Sequence, residues 1–223
     1  MPERGRLLTL EGIDGCGKTT VAAALVRRLS ARGVPVVSTR EPGGTPLGAR
    51  IREIVLSGLS DPWAEALLFC ADRAAHAAEV IGPALSRGAW VVSDRFCDAT
   101  LAYQGYGRGL PVAELRAVHR ASTGGLLPDL TVLLDCDPET ARARRRLRGG
   151  APPDAFETEE GGFQERVRAG YLSCAREEPG RFVVLDASRD LPEVLSQMEA
   201  RVLPRLWGWL SGAAEGEEPR GVG

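Results

Sequence analysis

EGIDGCGKTT, residues 11–20, packs three glycines, a lysine and two threonines into ten positions. Within it, Gly12-x-x-x-x-Gly17-Lys18-Thr19 has the spacing of a loop that cradles phosphate. Gly15 and Gly17 lack the Cβ that disfavours left-handed backbone, so successive N–H groups can turn inward on one anion. Gly12, Ile13, Asp14 and Cys16 complete the wall of such a cradle. Lys18 brings a flexible point charge for the outer phosphates, and the Thr19 hydroxyl suits a magnesium ion. Immediately before the loop, RLLTL (6–10) is a short apolar run fit for a buried strand. Immediately after, TTVAAALVRRLSARG (19–33) has helical periodicity and closes on Gly33. Strand, glycine loop and helix N-terminus together make an anion site, because the helix dipole and its unpaired N–H groups face the phosphate. The stretch therefore reads as a nucleoside triphosphate site.

The 223 residues suit one domain, expected over 1–210, followed by a disordered polar, glycine-rich tail from 211. A net charge of −2 gives nucleic acid nothing to bind by charge. No apolar run approaches the ~18 residues that span a bilayer, and MPERGRLLTLEG lacks the pattern of a signal peptide. No membrane association and a cytoplasmic location are the expectation. The cysteines at 16, 70, 97, 136 and 174 form no CxxC or Cys-His cluster, so they are expected as reduced thiols. His76 and His119 fall in helical patterns and read as surface or packing residues.

Five strand-like runs recur: RLLTLE, PVVST, AWVVSD, LTVLLD and RFVVLD. Helical stretches separate them, and the runs are apolar throughout rather than alternating. That is the pattern of a doubly wound parallel α/β sheet buried on both faces. Ligands of such sheets lie beyond the carboxyl ends of the strands, where this chain places the glycine loop, REPGG (40–44), DRF (94–96) and DCDP (135–138). Asp94 at a strand end can hold magnesium directly or through water, and Arg95 can hold a phosphate with two N–H bonds. An ion pair closing a strand end is the alternative reading of these two. In LLFCADR (67–73), Phe69 and Arg73 share a helix face, a ring to stack a base and a guanidinium to read its edge. A core phenylalanine with a surface arginine is the simpler reading of that pair alone. AYQGYGRG (102–109) adds Tyr103 and Gln104 close behind.

The ordered set EGIDGCGKTT, TREPGGTPLGARIR, LLFCADR, SDRF, AYQGYGRG and PDLTVLLD resembles thymidylate kinase over about residues 6 to 186. The resemblance implies a P-loop nucleoside monophosphate kinase fold, usually a homodimer. It implies transfer of the γ-phosphoryl of ATP to dTMP with Mg²⁺, giving dTDP. On that resemblance Gly12 to Thr19 hold ATP, and Thr19 and Asp94 serve the metal. Asp14 faces the 3′-hydroxyl of dTMP, Phe69 stacks on thymine and Arg73 bonds its O4. Arg95 and Arg52 hold the dTMP phosphate, Thr100 lies near the N3 edge, Tyr103 crowds the 2′ position and Gln104 lies near the base. The chain departs from the family at Phe96, where Tyr or His is usual, and at Ala155 in DAFE (154–157), where bacterial members often carry arginine.

The family's flap corresponds to about 142–157, which begins helical and runs into Gly-Gly and Pro-Pro. Loop positions 13–16 carry no arginine, so a flap arginine is expected to serve the transition state. Arg146 and Arg148 are the candidates, with Arg144 placed on an ATP phosphate or against adenine. A solvated basic helix face is the plainer reading of the five arginines from 142 to 148. Besides dTMP kinase, two functions stay open: another nucleoside or nucleotide kinase, and a switch or partition ATPase that makes no phosphorylated product.

Overall fold

The computed structural model describes residues 4–59, 61–148, 155, 156, 159 and 162–212. Five strands, β1 (Leu7–Glu11), β2 (Val36–Arg40), β3 (Trp90–Asp94), β4 (Leu130–Asp135) and β5 (Phe182–Asp186), form one sheet in the order β2-β3-β1-β4-β5. Every pairing is parallel. The doubly wound architecture expected from the sequence is the one observed. From central β1 the chain crosses to the edge strand β2, returns to β3 beside β1, and then crosses to β4 and β5 on the other side. The carboxyl end of β1 therefore opens where the winding reverses, and this is where such sheets bind ligands.

The apolar runs are strands because both their faces are covered. All of β1 is buried, as are most of β3 and β4. Leu8, Leu10, Val92 and Val132 enter the main core, while Leu7 and Val91 pack with Ile81, Leu85 and Phe96 in a smaller one. Strand β2 departs from the expected two-sided burial. It lies at one edge of the sheet and is half-exposed, whereas β5 at the other edge is mostly buried.

The helices are α1 (Lys18–Ser30), α2 (Pro46–Leu56), α3 (Pro62–His76), α4 (Gly82–Ser86), α5 (Cys97–Thr100), α6 (Val112–Thr123), α7 (Pro138–Arg148), α8 (Phe163–Glu177), α9 (Leu191–Arg201) and α10 (Leu203–Leu210). Thr45, Asp61 and Asp190 cap α2, α3 and α9 by accepting the N–H of Gly48, Ala64 and Glu193, and each is followed within two residues by proline. Caps and prolines of this kind fix where a helix starts.

Two π-helical segments, Ala77–Ile81 and Leu101–Gly107, extend α3 and α5. In the second, Gly107 lets α8 approach so closely that a Cβ would lie 2.7 Å from the Phe163 ring. The flap's central residues 149–154 and the expected tail from 213 lie outside the described residues.

Candidate active site

The phosphate loop turns on Gly12, Gly15 and Gly17, all at positive φ (136°, 94° and 102°). Gly17 caps α1 with no side chain of its own, so the first N–H groups of that helix have no side-chain acceptor. Lys18 Nζ donates to the carbonyls of Gly12 and Ile13, each at 3.0 Å, and lies 3.6 Å from Asp14 Oδ1. Thr19 Oγ1 donates to Asp94 Oδ2 at 2.9 Å. The register Leu10↔Asp94 sets that carboxylate level with the loop's entrance. A hollow lined by Lys18, Thr19, Arg40, Arg52, Asp94 and Arg95 runs along this edge.

Arg95 is held from several directions. Its guanidinium donates to Asp14 Oδ1 (2.7 Å), Tyr103 Oη (3.1 Å) and Tyr171 Oη (2.9 Å), and it lies over the Tyr103 ring. Its backbone has φ 75°, a left-handed value that side chains with a Cβ seldom adopt. Burial opposes ionisation of Asp14, but Arg95 and Lys18 outweigh it and hold the carboxyl well below its usual range. Tyr103 Oη also donates to Asp14 Oδ2, at 3.2 Å. Behind them Glu11 accepts the Phe96 N–H (2.7 Å) and the Tyr171 hydroxyl (2.9 Å). Burial, reinforced by Asp98, pushes the Glu11 carboxyl up to about 8.

A second, more apolar hollow adjoins Asp14 and Arg95 and is lined by Phe69, Arg73, Thr100, Tyr103, Gln104 and Phe156. Arg73 is fully buried, which settles it against a surface position. Its Nε donates to Glu41 Oε2 (2.8 Å) and its Nη2 to the Phe96 carbonyl (3.0 Å). Arg73 Nη1 and Thr100 Oγ1 are buried without a partner. Orphaned polar atoms are costly in an interior, and both residues belong to the lining of the hollow. Gln104 is spoken for on one side, donating to Glu65 at 2.8 Å. Arg52 lines both hollows and donates to the Pro42 carbonyl at 3.2 Å.

The residues expected to bind the acceptor are thus brought together, and so are those expected to bind the triphosphate. The flap is less simple. Arg144 donates to the carbonyls of Ala187, Ser188 and Arg189 in the turn after β5. Arg146 is exposed, and the Arg148 side chain lies outside the described residues. Arg145 lies against the phosphate loop: a Cβ at Gly15 would meet its Cγ at 3.0 Å and the Ala141 carbonyl at 2.3 Å. Helix α7 therefore rests directly on the loop.

Several residues around the site carry no clear sequence signal. Glu11, Glu41 and Tyr171 are buried polar partners of the expected residues, contributed by other elements. Phe156, within the DAFE stretch, sits 6.0 Å from the Phe69 ring and 5.8 Å from the Tyr103 ring, centroid to centroid. Phe96 lends the site its backbone N–H and carbonyl, while its ring is buried between Arg73 and His119. Both histidines are buried rather than on the surface, and all five cysteines are free and buried.

A doubly wound parallel sheet, a phosphate loop after its central strand and a second hollow across Asp14 and Arg95 are the features of a P-loop kinase of the nucleoside monophosphate class. The family model for thymidylate kinase matches residues 10–198. The chain belongs to the thymidylate kinase family. It is 54% identical over 207 residues to the thymidylate kinase of Burkholderia cenocepacia, covering 91% of this chain and 98% of that protein. It is 51% identical over 200 residues to that of Paraburkholderia xenovorans, covering 88% and 96%. With the enzyme of Burkholderia mallei the figures are 52% over 202 residues, 88% and 96%.

Proposed function

We propose that this protein transfers the γ-phosphoryl of ATP to dTMP, giving dTDP. The observation that carries this reading is the acceptor hollow, where Arg73 Nη1 and Thr100 Oγ1 stand unpartnered beside Phe69 and next to the phosphate loop. Phe69 stacks on the thymine, Arg73 donates to its O4 and Thr100 meets its N3 edge, with Gln104 alongside. Tyr103 crowds the sugar's 2′ position, Asp14 accepts its 3′-hydroxyl, and Arg95 and Arg52 hold its phosphate. Phosphoryl transfer asks for alignment and positive charge more than for covalent chemistry. Lys18 turns from the carbonyls of Gly12 and Ile13 to the β- and γ-phosphates, and the loop N–H groups take the other oxygens. Arg145 joins Arg146 and Arg148 as the flap charge for the transition state. Arg144, tied to the turn after β5, borders the adenine.

The Thr19 hydroxyl and Asp94 carboxylate are hard oxygen donors, and among the described residues no cluster of three or more His, Cys, Asp or Glu side chains could hold a metal by itself. That set fits Mg²⁺, which keeps several waters and binds through one or two protein oxygens plus phosphate. When bound, Mg²⁺ neutralises charge on the transferring oxygens.

Exposed Leu47 and Ile54 on α2 and Leu67 on α3 are apolar positions for a second copy to cover, supporting a homodimer. Among the described residues no helix is long and apolar enough to cross a membrane, and a cytoplasmic location is part of this reading.

ADP release measured across dTMP, dUMP, dCMP, dGMP and UMP tests the function. Turnover should depend on the acceptor and favour dTMP. Free phosphate made without an acceptor would return the chain to the ATPase class, for which the second hollow has no use.

A further inference from the structure

We propose that His76 is a positioning residue for the acceptor nucleotide, acting through Glu41 on Arg73. The inference rests on the reading of Arg73 as the group that donates to the acceptor base.

His76 is fully buried, and both its ring nitrogens are bonded. Nδ1 meets Glu41 Oε1 at 2.8 Å and Nε2 meets Thr39 Oγ1 at 2.7 Å. A carboxylate only accepts, so Nδ1 carries a proton and donates to Glu41. The other carboxylate oxygen, Oε2, accepts from Arg73 Nε at 2.8 Å. The chain Thr39–His76–Glu41–Arg73 thus runs unbroken from β2 to a guanidinium that lines the acceptor hollow and carries a buried, unpartnered Nη1.

Glu41 is not held by Arg73 alone. With a bond on only one oxygen, its carboxylate could rotate and take the guanidinium with it. His76 fixes the second oxygen, so the plane of the carboxylate is set, and together with the Phe96 carbonyl it sets the direction of Arg73. Second-sphere bonds that fix a side chain's rotamer are what hold a binding geometry to within fractions of an ångström.

The same turn of α3 grips the rest of the 39–44 segment. Asp72 Oδ1 accepts the Gly43 N–H at 3.2 Å, and Gly44 packs against the His76 ring, where a Cβ would come within 2.6 Å of Cδ2 and Nε2. The Pro42 carbonyl in this segment accepts from Arg52. His76 therefore secures a segment that aims both the base-reading Arg73 and the phosphate-holding Arg52, while touching neither substrate hollow itself.

The test compares His76→Leu, His76→Asn and Thr39→Val in the full chain by steady-state kinetics, with thermal denaturation as a fold control. An asparagine amide can donate where Nδ1–H does, and leucine cannot. His76→Leu should raise the KM for dTMP about tenfold and leave that for ATP within twofold, since small misplacements at a binding site are costly. His76→Asn should restore the dTMP KM to within threefold of wild type. Thr39→Val should raise it by about threefold, and it decides the matter if the His76 variants fail to fold. A purely structural role would shift both KM values together or lower the folded fraction alone, and either result overturns the proposal. So does an asparagine variant as poor as leucine, or an unchanged dTMP KM in Thr39→Val. A wild-type protein that does not use dTMP would sink the kinase reading instead.

Discussion

Lys18 puts a cation into the phosphate loop, and its removal takes a full charge from a preorganised site. Lys18→Ala should cut kcat by about a hundredfold or more at unchanged far-UV circular dichroism; activity within twofold of wild type would reject the loop's role. Arg73 calls for a gentler change. Alanine there would strand buried Glu41, and breaking a buried pair costs roughly 3–5 kcal/mol in folding. Arg73→Lys keeps the charge and loses the fork, so the KM for dTMP should rise by about ten- to a hundredfold, with that for ATP nearly fixed. Equal rises in both would locate the damage in the fold. Glu11 offers a pH test. Its carboxyl is pushed up to about 8 by burial, while the unfolded chain loses that proton near 4.5. Between those values only the native state holds the proton, so stability falls as pH rises through the window. Asp72, pushed up to about 6 by burial and Glu41, adds a smaller slope of the same sign. Glu11→Gln should flatten the fall in Tm between pH 5 and 8, and an unaltered profile would place the proton elsewhere. Helical spacing in the sequence puts Phe69 and Arg73 on one face, but it is the family resemblance that singles them out, since spacing alone favours a surface position for Arg73, which is buried. Glu11, Glu41 and Tyr171 were not legible, because each acts through a partner on another element and burial is not written locally.

At the scale of elements, the strands were legible as apolar runs and only β2 misled, since nothing in PVVST marks an edge position. The π-helical turn at Leu101–Gly107 was hidden by Gly105 and Gly107, which suggest a loop. Their work is to admit neighbours: a Cβ at Gly107 would strike Phe163, whose ring packs on Tyr103 at 6.1 Å. Gly107→Ala should destabilise the fold by about 1–3 kcal/mol through overpacking, visible as a lower denaturation midpoint; an unchanged midpoint would mean that α8 yields freely. Helix α7 makes the flap prediction sharper than the sequence could. Periodicity scatters its arginines around the helix, whereas packing against Gly15 shows that the stem of Arg145 reaches the loop. Alanine at 145, 146 or 148 should, in at least one case, lower kcat by about a hundredfold with little change in the KM for ATP. If all three stay within threefold, the transition-state charge comes from Arg95.

For the molecule as a whole, the exposed leucines of α2 and α3 lead to a solution measurement. Light scattering should give twice the chain mass, and Ile54→Glu with Leu67→Glu should halve it; a monomeric wild type would refute the dimer. The buried thiols lend themselves to another use. Cys16 sits in the phosphate loop, Cys70 in α3, Cys97 in α5, Cys136 just past β4 and Cys174 in α8. A thiol that is shielded in the native chain reacts with an alkylating reagent only when its surroundings open. Mass spectrometry of the labelled sites would then rank local openings across the molecule without any engineered probe. Nucleotide should slow labelling at Cys16 first, and a chain equally protected everywhere would open only as one unit.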